Sequence, residues 1–217
     1  MRAIIAANGF IRERERYGHL FADGDLVIGV DGGAAVALRA GLEPKVVIGD
    51  MDSIPEKLRI ELEARGCRFL QYPTRKNETD TELAMRYALQ AGAEEIVFIG
   101  ATGKRLDHTL ANVLLLAMPE LEGVKCRIIA GDTEAWLVRD TLEIAGRPGD
   151  IVTLLPLGQD AIGLRTEGLE YALHGETLCF GMARGVSNVM TASRARICLR
   201  QGVLLVLRVT QEQTGSG

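Results

Sequence analysis

The sequence predicts an α/β N-terminal domain with a mostly parallel, Rossmann-like sheet, followed by an all-β antiparallel sandwich or barrel. Three observations lead there. Up to about residue 129, short apolar runs alternate with stretches rich in helix formers, the pattern of strands joined by crossover helices. At 46–53 the run V-V-I-G-D-M-D-S ends a buried strand in glycine and then presents Asp50 and Asp52, which is how an open α/β sheet delivers acids to the crevice at its carboxyl edge. After residue 129, short strand-like runs follow one another with Gly, Pro and Asp between them and no helical period. A domain boundary is therefore expected between 124 and 133, giving domains 1–128 and 129–217.

Taken in order, 3–7 reads as a first strand ending at the turn signal Asn8-Gly9. The alternation R-E-R-E-R at 12–16 reads as a solvated helix face. A buried strand at 26–30 is followed at once by Asp31-Gly32-Gly33 and a helix over 34–40 with Gly41 at its end, so an acid and two glycines sit where backbone can approach a ligand. Ser53-x-x-Glu56 predicts a capping box opening a helix to about Arg65. A strand at 67–72 stops at Pro73, and Thr79-x-x-Glu82 predicts a second capping box with Asp80 in the first helical turn, where the helix dipole by itself favours an acid. A strand at 95–99 leads through the glycine-containing loop 100–108 into a helix predicted over 109–117. In the second half, strands are expected at 135–138, 142–144, 151–155, 169–173, 196–200 and 203–209, with a polar tail from Gln211.

Composition narrows the function. A chain of 217 residues, 47% hydrophobic and 25% charged, buries a full core and is too apolar for disorder. A net charge of -4 gives no prior for nucleic acid or an anionic membrane surface, and the first apolar run is too short for a membrane span. Cys67, Cys126, Cys179 and Cys198 lack metal-site spacing and read as reduced core thiols of a cytoplasmic protein.

The acids Asp31, Asp50, Asp52, Asp80 and Asp107 all follow strands or open helices, and so fall at one end of a parallel sheet. Converging carboxylates without a His or Cys cluster suit a hard cation, Mg²⁺, that bridges to phosphate oxygens. The reaction class that follows is phosphoryl-type transfer, with Lys76, Lys104 and Arg105 supplying the positive charge that ATP phosphates need. The loop at 100–105 is not a Walker A loop, because Phe98 stands where that loop requires its first glycine and Arg105 follows Lys104.

The motifs D-G-G at 31–33, G-D-M-D-S at 49–53, K-N-E-T-D at 76–80 and G-A-T-G-K-R-L-D-H at 100–108 resemble, in order, those of the thiamine pyrophosphokinase family. T-E-G-L-E-Y-A-L at 166–173 and R-G-V-S-N at 184–188 resemble its C-terminal β-domain. The resemblance implies ATP-dependent transfer of a pyrophosphoryl group to the hydroxyl of thiamine, with Mg²⁺ as cofactor, ATP as co-substrate and a homodimeric assembly. It also implies a metal site of Asp50, Asp52 and Asp80, and a catalytic set of those three with Asp107. For ATP it implies Asp31, Gly32, Lys76, Thr79, Thr102, Gly103, Lys104 and Arg105; for thiamine, Ser187, Asn188 and Asp107. Either Asp80 or Asp107 would orient the hydroxyl. Asn77 departs from the family pattern, which commonly has an acid there, and Lys104 replaces a glycine. The acids alone also fit a pyrophosphokinase for a hydroxymethylpterin, a non-catalytic thiamine or nucleotide sensor, and a metal-dependent phosphohydrolase.

Overall fold

A computed structural model describes residues 1–11, 17 and 20–211, so the charge alternation at 12–16 and the tail beyond 211 lie outside the described residues. The chain forms two compact units, Met1–Gly131 and Asp132–Gly217.

In the first unit, strands β1 (Arg2–Ala6), β2 (Leu26–Val30), β3 (Val46–Gly49), β4 (Arg68–Gln71), β5 (Glu95–Ile99) and β6 (Lys125–Ala130) run in the order β6-β5-β1-β2-β3-β4, every pair parallel. Strands β1, β2, β3 and β5 are almost wholly buried, which is why they read as unbroken Val/Ile runs rather than alternating ones. Edge strand β4 carries exposed Arg68 and Gln71. The helices are α1 (Gly33–Arg39), α2 (Glu56–Ala64), α3 (Asp80–Gln90) and α4 (Leu106–Leu115). Val36 and Ala37 of α1 join Ile4, Val97 and Ile99 in one core cluster, while Leu62 of α2 packs with Val47 and Ile54 in another. Chain order reverses at β1: the path moves outward through β2, β3 and β4, then returns to the other side of β1 with β5. The loops after β1 and β5 therefore flank the point where strand order reverses, and ligands of open α/β sheets bind at such a switch point.

Two helix starts differ from expectation. Ser53 does not cap α2: Pro55 is the N-cap residue, extended at ψ 135°, and Ser53 Oγ donates to Asp52 Oδ1 instead (2.7 Å). Proline fixes φ just before the first helical residue, and so sets the entry by itself. Helix α4 begins at Leu106, three residues earlier than predicted, which puts Asp107 and His108 in its first turn. The Thr79 cap is present as expected, its hydroxyl accepting from Glu82 N at 3.1 Å.

The second unit is a sandwich. One sheet runs β12 (Asn188–Val189), β9 (Ile151–Pro156), β14 (Leu204–Val209), β7 (Thr133–Val138); the other is four-stranded, β11 (His174–Leu178), β10 (Ala161–Glu167), β13 (Arg194–Cys198), β8 (Thr141–Ala145), and all measured pairs are antiparallel. Alternating burial along β9 and β13 sends Val152, Leu154, Ala195 and Ile197 into a shared core with Leu164, Leu204 and Val206. The strand expected at 169–173 is instead a turn, tied by a single bridge between Leu169 and Met190. The strands lie on either side of it, at β10 and β11; Gly163, at φ +72°, broke the apolar run that would have announced β10. Of the four cysteines, all are free thiols, but only Cys67 is fully buried and Cys179 is exposed, so the expectation of core thiols holds for part of the set.

Candidate active site

The carboxyl edge of the parallel sheet brings Asp31, Asp50 and Asp80 into mutual range. Asp31 follows β2 with φ +46° and is 9% exposed. Its Oδ1 accepts a hydrogen bond from Met51 N at 3.0 Å, which ties the end of β2 to the loop after β3. That loop is tightly built. Met51 stands at φ +70°, Gly49 at φ +153°, and a Cβ on Gly49 would lie 1.8 Å from Asp31 Oδ1, so only glycine lets the two loops touch. Asp50 Oδ1 accepts from Asp52 N at 3.2 Å, and its backbone carbonyl accepts from the Gln71 side chain at 3.3 Å. Asp80 enters from the first turn of α3, held by the Thr79 cap.

The charge on each group reflects this crowding. Burial pushes the Asp31 carboxyl up to about 6, with the negative charges of Asp80 and Asp50 adding to it and the Met51 hydrogen bond opposing. Asp50 is lowered, chiefly by the Asp52 N–H, with help from Thr74 and from the positive charge of Lys76. Lys76 Nζ lies 2.8 Å from Asp80 Oδ1 and donates to the Pro73 carbonyl at 2.9 Å. Asp80 Oδ1 is buried and makes no aligned hydrogen bond, so its contact with the ammonium is one of charge. Asp107 has a partner of its own. Exposed on α4, it is gripped in a fork by Arg105, whose Nε lies 2.9 Å from Oδ1, and this guanidinium holds the carboxyl far below the usual carboxylate range.

Among the described residues no three acidic, His or Cys side chains converge closely enough to hold an ion as they stand. The donor chemistry still fits one. Repelling carboxylates with a buried, poorly bonded oxygen form an environment that a hard cation relieves, and Asp50, Asp52 and Asp80 offer oxygen ligands only.

At the switch point the loops after β1 and β5 bond to each other, Gly9 N to the Gly100 carbonyl and Phe10 N to the Thr102 carbonyl, both at 2.8 Å. A Cβ on Gly9 would lie 2.2 Å from both those carbonyls. Buried Asn112 donates from α4 to the Ala101 carbonyl at 2.8 Å, and Gly103 N bonds Thr109 Oγ1 at 3.3 Å. Gly103, Lys104 and Arg105 are thereby carried on a braced loop with their own surfaces exposed. Sequence reasoning missed Thr74, Gln71 and Asn112 as supports. Only the amide-bearing side chains of Gln71 and Asn112, each among apolar residues, hinted at them.

The second unit has its own cavity of about 710 Å³. Leu154, Leu173, Leu178 and Val186 supply apolar wall, and Glu170, Tyr171, His174, Arg184, Ser187 and Asn188 the polar lining. Its rim is stapled rather than loose. Asn188 Oδ1 accepts from Tyr171 N (3.0 Å) and Val189 N (2.9 Å), while Nδ2 donates to the Tyr171 carbonyl (2.9 Å). Ser187, beside it, is exposed at φ +61° with its N–H bonded to Thr153 Oγ1 at 3.2 Å.

Comparison with known proteins gives matches to two family models, "Thiamin pyrophosphokinase, catalytic domain" over residues 17–129 and "Thiamin pyrophosphokinase, vitamin B1 binding domain" over 141–204. The chain is 29% identical over 195 residues to the thiamine pyrophosphokinase of Bacillus subtilis, covering 85% of this chain and 87% of that protein. The crystal structure of thiamine pyrophosphokinase from Bacillus subtilis superposes with a TM-score of 0.86 at 27% identity, covering 98% of this chain and 100% of the other. The yeast thiamin pyrophosphokinase structure, at 18% identity, shares the fold with a TM-score of 0.78 over 96% of this chain and 86% of its own.

Proposed function

The chain belongs to the thiamin pyrophosphokinase family, and from that premise we propose how its residues divide the work of forming thiamine diphosphate from thiamine and ATP. The thiamine hydroxyl oxygen attacks the β-phosphorus of ATP, the bridge to the α-phosphorus breaks, AMP leaves with the bridging oxygen, and the hydroxyl proton passes to a base or water. Because the pyrophosphoryl group carries most of the charge, the protein's task is positioning and neutralisation.

Asp50, Asp52 and Asp80 hold Mg²⁺, which when bound neutralises the phosphate chain. Asp31 buttresses the loop that presents Asp50 and Asp52. Gly32, Thr79, Thr102, Gly103, Lys104 and Arg105 face the nucleotide, with Lys76 adding charge. Thiamine occupies the cavity of the second unit, its rim set by Asn188 and Ser187. Asp107, kept ionised by Arg105, is a weak base and serves better to orient the hydroxyl than to remove its proton. The observation that carries this reading is the approach of Asp50 and Asp80 to Asp31 at the carboxyl edge of a parallel sheet within a family-matched domain.

A homodimer is the assembly we favour. Leu106, Leu110 and Leu114 form a one-sided apolar stripe along α4 with more than half of each residue exposed, a surface that a second copy would cover. No helix among the described residues is long and apolar enough to cross a membrane, and the cytoplasmic setting remains part of the proposal.

The test is product analysis. With thiamine, ATP and Mg²⁺ the chain yields AMP and thiamine diphosphate in equal amounts, and a hydroxymethylpterin acceptor yields neither AMP nor a diphosphate ester. Asp52→Asn lowers turnover by about 100-fold or more, the scale for removing a group that stabilises transition-state charge. Full turnover by that variant contradicts the metal assignment.

A further inference from the structure

Among the described residues, Lys76 is the cation that the acid cluster meets, through its ion pair with Asp80 and its charge on Asp50. Its geometry is unlike that of the other pairs spaced four residues apart. The Arg59–Glu63 side chains are 42% and 46% exposed, whereas Lys76 and Asp80 are 12% and 24% exposed. Lys76 also precedes α3, which begins at Asp80, so the pair joins a turn to the mouth of a helix rather than lacing a helix surface. One ammonium proton is committed to the Pro73 carbonyl. What remains faces Asp80 Oδ1, a buried oxygen with no aligned hydrogen bond. The same positive charge reaches Asp50. A single ammonium thus stands beside two of the three carboxylates assigned above to the metal.

From this juxtaposition we propose that Lys76 is an internal counterion to Asp80 that competes with the divalent cation. The cation can take the side of Asp80 Oδ1 that Lys76 now occupies only when Lys76 leaves, and the released ammonium is then free to meet nucleotide phosphate. This rests on the metal assignment of the preceding subsection. Two cations cannot share one carboxylate oxygen at bonding distance without strong mutual repulsion, and an oxygen 2.8 Å from an ammonium has no room for a metal ion on the same lone pair. Departure of Lys76 needs only side-chain rotation and loss of the Pro73 hydrogen bond, since its backbone lies outside the helix. The coupling has a use: the carboxylates stay compensated until cation and nucleotide arrive together, so that weakly held cation alone does not assemble the site. A merely structural lysine, stapling the 73–76 turn, would show no such competition.

The experiment titrates Mn²⁺ alone, without nucleotide, against the full chain by calorimetry. Lys76→Gln removes the competing charge, and Mn²⁺ binding should tighten by about tenfold, the least effect a neighbouring opposite charge commonly has on a carboxylate. Lys76→Arg keeps the charge and should bind Mn²⁺ much as the wild type does. A second measurement needs no variant: amine acylation of the wild-type chain, read by mass spectrometry, should rise at Lys76 as Mn²⁺ is added. Equal or weaker Mn²⁺ binding by folded Lys76→Gln overturns the proposal, as does Lys76 labelling that stays constant or falls. If the wild type forms no thiamine diphosphate, the assigned activity fails, and both cation measurements still read the competition separately.

Discussion

Replacing Gly49 by alanine tests whether the acid-bearing loop is held by contact with Asp31. The added Cβ would stand 1.8 Å from Asp31 Oδ1, 2.2 Å from its Cγ and 2.5 Å from Oδ2, and at φ +153° the backbone itself disfavours any side chain. Two costs combine. Holding alanine in a sparsely populated backbone region costs about 1–3 kcal/mol. Driving Asp31 aside breaks its bond to Met51 N, and a buried polar group left without its partner costs about 1–3 kcal/mol more. Together they give about 2–6 kcal/mol, measured as loss of unfolding free energy in urea. Gly66→Ala is the internal control. Gly66 has φ +82° but nothing within 4 Å of the added Cβ, so it should lose only the conformational part, about 1–2 kcal/mol. Turnover should fall with Gly49→Ala, because Asp50 and Asp52 ride on the displaced loop, and stay unchanged with Gly66→Ala. If the two variants lose equal stability, or if Gly49→Ala keeps wild-type turnover, the buttress argument is refuted.

Asp31→Asn probes the same contact through pH. A carboxyl raised to about 6 in the folded chain from the ordinary 3.8 contributes stability that is complete below about pH 4 and lost as pH rises through about 6, a span worth about 2–3 kcal/mol. The amide still accepts from Met51 N and does not titrate, so the variant should show a flatter dependence of unfolding midpoint on pH between those limits. Asn188→Ala strands two backbone N–H groups and one carbonyl, and should cost about 1–3 kcal/mol while raising KM for thiamine more than it lowers kcat, read in steady-state assays. Thr79→Ala removes one cap and should lower stability by about 1 kcal/mol in the same urea assay. A loss below about 0.3 kcal/mol would mean that packing, not the cap, holds that helix start.

The elements that read most clearly in the sequence are those for which burial is two-sided. Strands such as 26–30 and 46–49 present unbroken apolar runs because both faces are covered, and their helix partners carry recognisable stops. The acids that follow them were visible because a strand end is a local event: Asp31 and Asp50 come immediately after the apolar run. The second unit was less legible. Its strand over 161–167 contains Gly163 and exposed Arg165 and Glu167, and so lacks the pattern that names a strand, while the apolar run at 169–173 turned out to be a turn. There, pairing with strands distant in sequence decides the structure, and no local window contains the partner.

The sequence by itself determined the kinds of chemistry present: which carboxylates, glycines and cations exist, and that they fall after strands or before helices. Only the tertiary structure decided which of them meet. It brought Asp50 and Asp80 to Asp31, residues 19 and 49 positions away in the sequence, whereas the pairs Lys76–Asp80 and Arg105–Asp107 form between near neighbours in the chain. The physical reason is range. A propensity or a cap is settled within one turn of chain, whereas the protonation of Asp31 depends on electrostatic contact with Asp50 and Asp80, which only the fold brings near it.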